Sequence, residues 1–401
     1  MTLLTLKELT ADIIGERARA VEEPDWLVER RREAWIYFAQ SIPPEWRRTD
    51  LSGIDPTALI HSTTALVSIE MDASLERLGV VAKPLRAALV SHEATIKAHL
   101  DSAVLPLEHK FSALRAALWQ DGAFVFVPKD VATEVPIRVR YHLPANGHST
   151  FPRTLVIAEA QSSVTLIEEF VSDDQPIPAL AAPISEIFAG PGSSVRFISV
   201  QRWGTGVYHI AGQKVVLEQD ANLQWTSIAL GGKVQHIEAE TTLKGNGSQV
   251  NWIGATFANS DQLLLTGPWL RHVGHRAESF MQFKTVVNGN GYSVFDGMIK
   301  IEHESAATST RLEEHALHLS PQGRNDSIPS LKIDTNSVLK GGHASTSGDI
   351  DEEQLFYMQA RGINRDEAKR MIVMGFFSPA LDSIPVESLR TELEVAIEAK
   401  I

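Results

Sequence analysis

The sequence predicts a mainly β protein, a β-helix core held between helical ends. Three observations carry this. From about residue 122 to 344 the chain is a series of short β-rich runs separated by small polar or glycine-rich turns. A weak repeat passes through those runs at intervals of 27 to 31 residues. Helical periodicity is confined to the two ends. On this basis residues 1–110 read as an N-terminal helical region, 111–350 as the β-helix core and 351–401 as a C-terminal helical region.

In the N-terminal region Leu27, Ala34, Trp35 and Phe38 fall at helical spacing, and Pro24 suits the first turn, where its missing N–H is not needed. Ile42-Pro43-Pro44 breaks that helix, and a second helical stretch is expected over 74–101. The core runs include Val215-Val216-Leu217, 223–230, 234–243 and 250–257, with turns at 218–222, 231–233 and 244–249. The repeat consists of a turn followed by an apolar residue, any residue and a bulky apolar residue. It appears at Val164/Leu166, Val195/Phe197, Leu223/Trp225 and Val250/Trp252. A sandwich or barrel also produces short strands and frequent turns. A fixed period is the mark of a solenoid, whose coils bury their apolar faces by stacking on neighbours. At the C-terminal end Asp351 can cap a helix that carries Glu352 and Glu353 in its first turn, and Gly362 suits a left-handed stop. A second helix is expected to bury Ala368, Met371, Ile372 and Gly375. A third, starting near Pro385, is expected to bury Val386, Leu389, Leu393 and Ile397.

Composition excludes several function classes. There are 37 basic and 50 acidic residues, a net charge of −13, which disfavours nucleic acid and acidic membranes as partners. With no cysteine there is no disulfide, thiolate metal site or thiol nucleophile. Residues 1–16 carry Glu8 and Asp12 and do not read as a secretory signal. No apolar run has membrane-spanning length, so a cytoplasmic protein is expected. Gly231-Gly232-Lys233 lacks the spacing and hydroxyl of a nucleotide-binding phosphate loop, and no GxSxG elbow occurs. The chain is therefore read as having no catalytic centre.

The remaining chemistry rests on histidines and acids. His272 and His275, His303 within Glu302-His303-Glu304 on an alternating strand, and His315 and His318 all read as structural or surface residues. Glu313-Glu314 reads as solvated surface. His343 differs. It lies within Lys340-Gly341-Gly342-His343-Ala344-Ser345-Thr346-Ser347-Gly348, where small neighbours let an ion or another backbone come close. A turn histidine is the plainer alternative.

Three stretches near the C-terminus carry a family resemblance: Pro329-Ser330-Leu331-Lys332-Ile333, residues 340–348, and 351–363, which read DEEQLFYMQARGI. Together they are similar to the closing signature of the SufB/SufD family of the SUF iron–sulfur cluster assembly system, roughly P-x-L-E-I, C-x-H-G-A-T-x-G and D-E-E-x-L-F-Y-L-x-S-R-G-I. Residues 368–376 resemble its final A-x-x-x-x-x-x-G-F. Upstream, 45–51 (EWRRTDL), 23–27 (EPDWL) and 122–128 (GAFVFVP) resemble N-terminal family elements.

The resemblance implies a right-handed parallel β-helix between helical ends. It also implies pairing with a SufB-like paralogue through the β-helix and docking of a SufC-like ABC ATPase on the C-terminal helices. A transient iron–sulfur cluster would be shared at the paired interface, with no cofactor tightly held by this chain alone. The family cysteine two residues before the histidine is Gly341 here, and the following glycine is Ala344. The first departure removes the thiolate and places the chain on the SufD side of the family. His343 is the implied shared cluster ligand. Phe356, Tyr357, Arg361, Met371, Phe376 and Phe377 are the candidate docking residues, and the C-terminal helices are expected to be removable without unfolding the coils. A homodimer in isolation fits the same reading. Two other readings stand beside it: a β-helix enzyme acting on polysaccharides, which would need a ladder of paired acidic and basic residues, and a homo-oligomeric structural protein.

Overall fold

The computed structural model describes residues 4–61, 66–144, 147–174 and 177–401. The first three residues of the 1–16 stretch thus lie outside the description.

The core is a parallel β-solenoid of about eight turns. Its coils stack into a nine-stranded and a twelve-stranded sheet, each continued at its N-terminal edge by one antiparallel strand, Leu66–Glu70 and Val81–Pro84 respectively. From 122 to 349 the described secondary structure is all strand.

The sequence repeat is the register of the nine-stranded sheet. Val164, Val195, Leu223 and Val250 are successive partners, as are Leu166, Phe197, Trp225 and Trp252. All eight are buried, since strand alternation turns both columns into the lumen. Trp225 and Trp252 stack with ring centroids 3.8 Å apart and planes 4° apart. On the strand of Trp252, Gly254 makes room for the ring of Phe283 one coil further, because a Cβ there would lie 2.1 Å from it. Turns repeat as well. Asp130, Gln161, Asp220, Arg276 and Ala307 all have positive φ, and each donates its backbone N–H to a carbonyl of the next coil's turn.

Helices cover both outer faces. Asp25–Gln40 buries Leu27, Ala34, Trp35 and Phe38 as the spacing requires, and Pro24 stands one position earlier than expected, as its N-cap. The stretch 74–101 is not one helix. A turn at Ala73–Glu76 is followed by the strand Val81–Pro84 and the helix Leu85–His99, because the edge strand 122–127 offers a pairing partner that local propensity cannot register. With Lys110–Leu118 these helices pack on Phe124, Leu155, Ile157 and Ile210 of the twelve-stranded sheet. Among the described residues no helix is long and apolar enough to cross a membrane.

The lumen is not uniformly apolar. Glu168 is fully buried there, accepting from Thr154 Oγ1 at 2.5 Å, Ser185 Oγ at 2.8 Å and Gln213 Nε2 at 3.3 Å. Burial pushes its carboxyl from the ordinary 4.5 up to about 7. A folded-state pKa above the unfolded value means that the folded chain holds this proton more tightly. The contribution of Glu168 is therefore most favourable below about 4.5, weakens as pH rises towards 7 and stays at its lowest above that. Glu168→Gln, neutral throughout, should be stabilised relative to the parent at pH 8 by up to ~3 kcal/mol more than at pH 4.5. Paired thermal melts across that range check this, and an unchanged difference would refute it.

Candidate functional site

The final coil comprises the strands Arg324–Ser327, Ser330–Ile333 and Val338–Asp349. The glycine- and serine-rich stretch around His343 is therefore strand, and it runs past 344 to Asp349. It is extended because the preceding strand, Thr308–His318, offers a full ladder of backbone partners.

Following the interior columns to this end locates His343. The second column continues from Trp252 through Met281 and Leu312 to His343, and the first from Val250 through Ser279 and Thr310 to Gly341. His343 thus occupies a lumen-facing position in the last coil. It is nevertheless exposed, because no further coil stacks on it. A Cβ at Gly341 would make only ordinary contacts, the nearest at 3.5 Å from Ile333, and Gly342 has open space around it.

One register position further, Ser345 donates to Glu314 Oε2 at 3.1 Å, and Asn325 Nδ2 donates to Glu314 Oε1 at 3.2 Å. Glu314 is fully buried, and desolvation raises its pKa. The reading of Glu313-Glu314 as solvated surface fails at Glu314. Thr308, Thr310, Leu312, Glu314 and Ala316 alternate onto the lumen face, a pattern already legible in the sequence.

The other histidines are not brought together with His343. His272 is fully buried, its Nε2 lies 2.9 Å from Ser279 Oγ, and burial pushes it down to about 4, so it is neutral. His275 is exposed on the following turn. His303 lies in a turn beyond Met298–Ile301, not on an alternating strand, while Glu302 pairs with Arg271 at 2.6 Å and Lys300 at 2.9 Å. His315 and His318 meet the hydroxyls of Thr346 and Ser347 at 2.7 and 2.9 Å. Among the described residues no group of three or more His, Asp or Glu side chains is placed to hold a metal ion.

The chain leaves the last strand directly into the C-terminal helices. Asp351 caps Glu352–Ala360 by accepting from Glu353 N at 2.9 Å, and Gly362 ends the turn with φ +87°. Phe356 and Tyr357 are 72% and 58% exposed. Arg361 lies over the Tyr357 ring at 4.7 Å and donates to its hydroxyl at 2.5 Å.

The helix Arg365–Leu381 buries Ala368, Val373, Phe377, Ala380 and Leu381. Of the expected stripe, Ala368 is buried and Ile372 is half-buried, but Met371 and Gly375 are exposed. The apolar outer face of the nine-stranded sheet selects the stripe around Phe377 instead. Phe376 is half-buried with Lys284 Nζ 4.5 Å from its ring, whereas Phe377 is fully buried against Phe257. Phe377 is therefore an anchor to the solenoid, and the face presented outward carries Phe356, Tyr357, Arg361 and Met371.

Glu387–Glu398 buries Leu389, Leu393 and Ile397, with Val386 only half-buried. These two helices cover Ile167, Ile198, Ile228 and Phe257 of the sheet, so removing 351–401 would bare a wide apolar face. Sequence reasoning did not find the latch at the end. Lys400 Nζ reaches Leu230 O, Asn259 Oδ1 and Gln262 Oε1 at 2.6 to 2.7 Å.

Residues 141–376 match the family model described as the SUF system FeS cluster assembly SufBD core domain, and residues 59–139 match the SufBD protein N-terminal region. This chain belongs to the SufBD family. It is similar to the iron–sulfur cluster assembly protein SufD of Bacillus subtilis, 29% identical over 88% of this chain and 81% of that protein. It is also similar to B. subtilis SufB and to an iron–sulfur cluster assembly SufBD family protein of Staphylococcus haemolyticus, each 25% identical over 94% of this chain and 90% of the relative.

Burial separates two roles within the C-terminal helices. Phe377→Ala should destabilise the chain by ~3–5 kcal/mol, and Phe356→Ala should stay within ~0.5 kcal/mol of the parent. Chemical denaturation of both variants checks this, and equal losses would show that the helix Glu352–Ala360 is also a stability element.

Proposed function

We propose that this chain is a SufD-type scaffold subunit, not an enzyme, working in the cytoplasm within a SufBCD-type complex. It pairs with a SufB-like paralogue through the solenoid and docks a SufC-like ABC ATPase on its C-terminal helices. The observation that carries the reading is the position of His343 in a chain without cysteine. Sequence identity to SufB and to SufD relatives is comparable, so the distinction rests on ligand chemistry. A cluster held mainly by thiolates must draw them from elsewhere, and imidazole can replace a thiolate on iron. His343 is exposed at the open end of the lumen column, where a second solenoid can approach lengthwise. The iron–sulfur cluster is cargo of the assembled complex, bound transiently across the interface. The ATPase surface is the exposed pair Phe356 and Tyr357 with Arg361 and Met371, an aromatic and arginine-bearing patch of the composition that protein interfaces favour.

Co-expression with SufB-like and SufC-like partners, followed by mass measurement, tests the assembly. Failure to recover both partners would overturn it. In that complex His343→Ala should leave the mass unchanged while iron and sulfide per complex fall by about tenfold or more, since even supporting residues around a metal are worth that much. His275→Ala is the control, because it is exposed and His272 is a core residue. Equal loading in His343→Ala would remove the ligand role.

A further inference from the structure

We infer that residues 41–55 are a strap by which the N-terminal helices hold the last coil of the solenoid in place. Its role concerns the coil itself and does not depend on the function proposed above. A terminal coil stacks on one neighbour only, so it is the coil most prone to open locally. Contacts from outside the stack therefore count most there.

The strap leaves the end of Asp25–Gln40 and contains neither helix nor strand. It includes 45–51, the EWRRTDL stretch. Its anchor is Trp46. That ring stacks on His236 with centroids 3.8 Å apart and on Phe111 of Lys110–Leu118 at 5.0 Å, the planes 20° and 16° apart. The Thr49 hydroxyl lies 2.6 Å from His236 Nδ1. Farther along, the backbone at Gly53 passes so close to the sheet that a Cβ would lie 2.2 Å from the Tyr208 hydroxyl. Between these holds Arg48 reaches along the solenoid, and its Nε donates to Asp326 Oδ2 at 3.1 Å, across 278 residues of sequence.

The register of the twelve-stranded sheet explains that reach. His236, Leu265, Val294 and Asp326 are successive partners on its outer face. Thr49 holds the first of the column and Arg48 the last. Leu265 and Val294 between them are 6% and 1% exposed, although they face outward. From Asp326 the hold passes to the other sheet. Asn325 Nδ2 donates to Glu314 Oε1 at 3.2 Å, and Ser345 Oγ meets Glu314 Oε2 at 3.1 Å and Ser327 Oγ at 2.8 Å. Ser345 lies in the terminal strand Val338–Asp349. The Arg48 side chain is 43% exposed, so its ion pair alone is weak. The Trp46 anchor strengthens it by confining Arg48 beside Asp326, which removes part of the entropy cost of making the contact.

Hydrogen exchange of the full chain, read by mass spectrometry, tests the strap. Arg48→Met should speed exchange over residues 324–349 by about threefold, and Trp46→Ala by about tenfold, with residues 194–230 of the middle coils unchanged. Lys244→Met removes an exposed ion pair with Glu218 on a mid-solenoid turn and should leave 324–349 as in the parent. In an Asp326→Ala background Arg48→Met should have no further effect, because both act through one contact. Arg48→Met decides the matter even if Trp46→Ala fails to fold. Unchanged exchange over 324–349 in Arg48→Met overturns the strap, and so does a rise spread evenly over all coils or a further effect in the Asp326→Ala background. The measurement needs neither partner nor cluster, so its failure would leave the ligand role of His343 untouched.

Discussion

The in-register stacking of lumen side chains is the constraint on which the rest of the molecule depends. A single coil cannot bury Phe197 or Trp225, and each becomes part of a core only because the same position one coil on holds another apolar residue. This makes the ends of the solenoid special. At the N-terminal end the antiparallel strands Leu66–Glu70 and Val81–Pro84 close the two sheets, and helices pack around them. At the C-terminal end the lumen columns finish in Gly341, His343 and Ser345, and the strand Val338–Asp349 has a ladder on one side only. The last coil is held more by polar fastening than by apolar burial. Glu314 gathers Ser345 and Asn325, and Asp326 gathers Arg48 at 3.1 Å and Tyr292 at 2.7 Å.

The same logic explains the helices. Strands that carry apolar residues on both faces need a cover outside as well as a lumen inside, and the two ends of the chain supply one for each sheet. The C-terminal cover is pinned along the coils by Phe377, Leu389 and Leu393 and by ion pairs such as Arg202 with Glu392 at 2.9 Å. The helix Glu352–Ala360 is different. It buries Leu355 alone in its own length, and only Ile350 and Asp351 separate it from the strand carrying His343. Phe356 and Tyr357 therefore have a short covalent path to the terminal strand, while the helices that follow are packed on the sheet.

Much of this was legible in the sequence where local rules and the tertiary structure agree. The columns from Val164 to Trp252 repeated visibly because both positions stay apolar through those coils. The repeat faded where they become Ser279 and Met281, then Thr310 and Leu312, although the coils continue unchanged. Helix caps at Asp351 and Gly362 followed from backbone chemistry alone. What could not be read depended on distant partners. The strand Val81–Pro84 exists because Gly122–Val127 pairs with it, and the buried stripe of Arg365–Leu381 is chosen by the sheet beneath it. The immersion of Glu168 and Glu314 in the lumen shows how far a coil can depart from an apolar core when hydroxyl and amide donors surround the carboxylate.

On the function proposed above, an unfinished solenoid end and an incomplete ligand set belong to the same place and would have the same remedy. A lone imidazole cannot hold an iron–sulfur cluster, and a terminal coil with exposed Ile333 and Leu339 has unsatisfied apolar surface beside it. Capping by a polar coil of its own would stabilise the chain but hide His343. An end left open is held by its backbone ladders and by the polar fastening at Glu314 and Asp326, and it leaves the strand edge and the histidine exposed. On the function proposed above, a partner solenoid carrying thiolates would answer both needs at once, the strand edge aligning the two chains and His343 completing the cluster's ligands. A Cβ at Gly341 would meet no atom closer than 3.5 Å, so crowding does not impose glycine at that position.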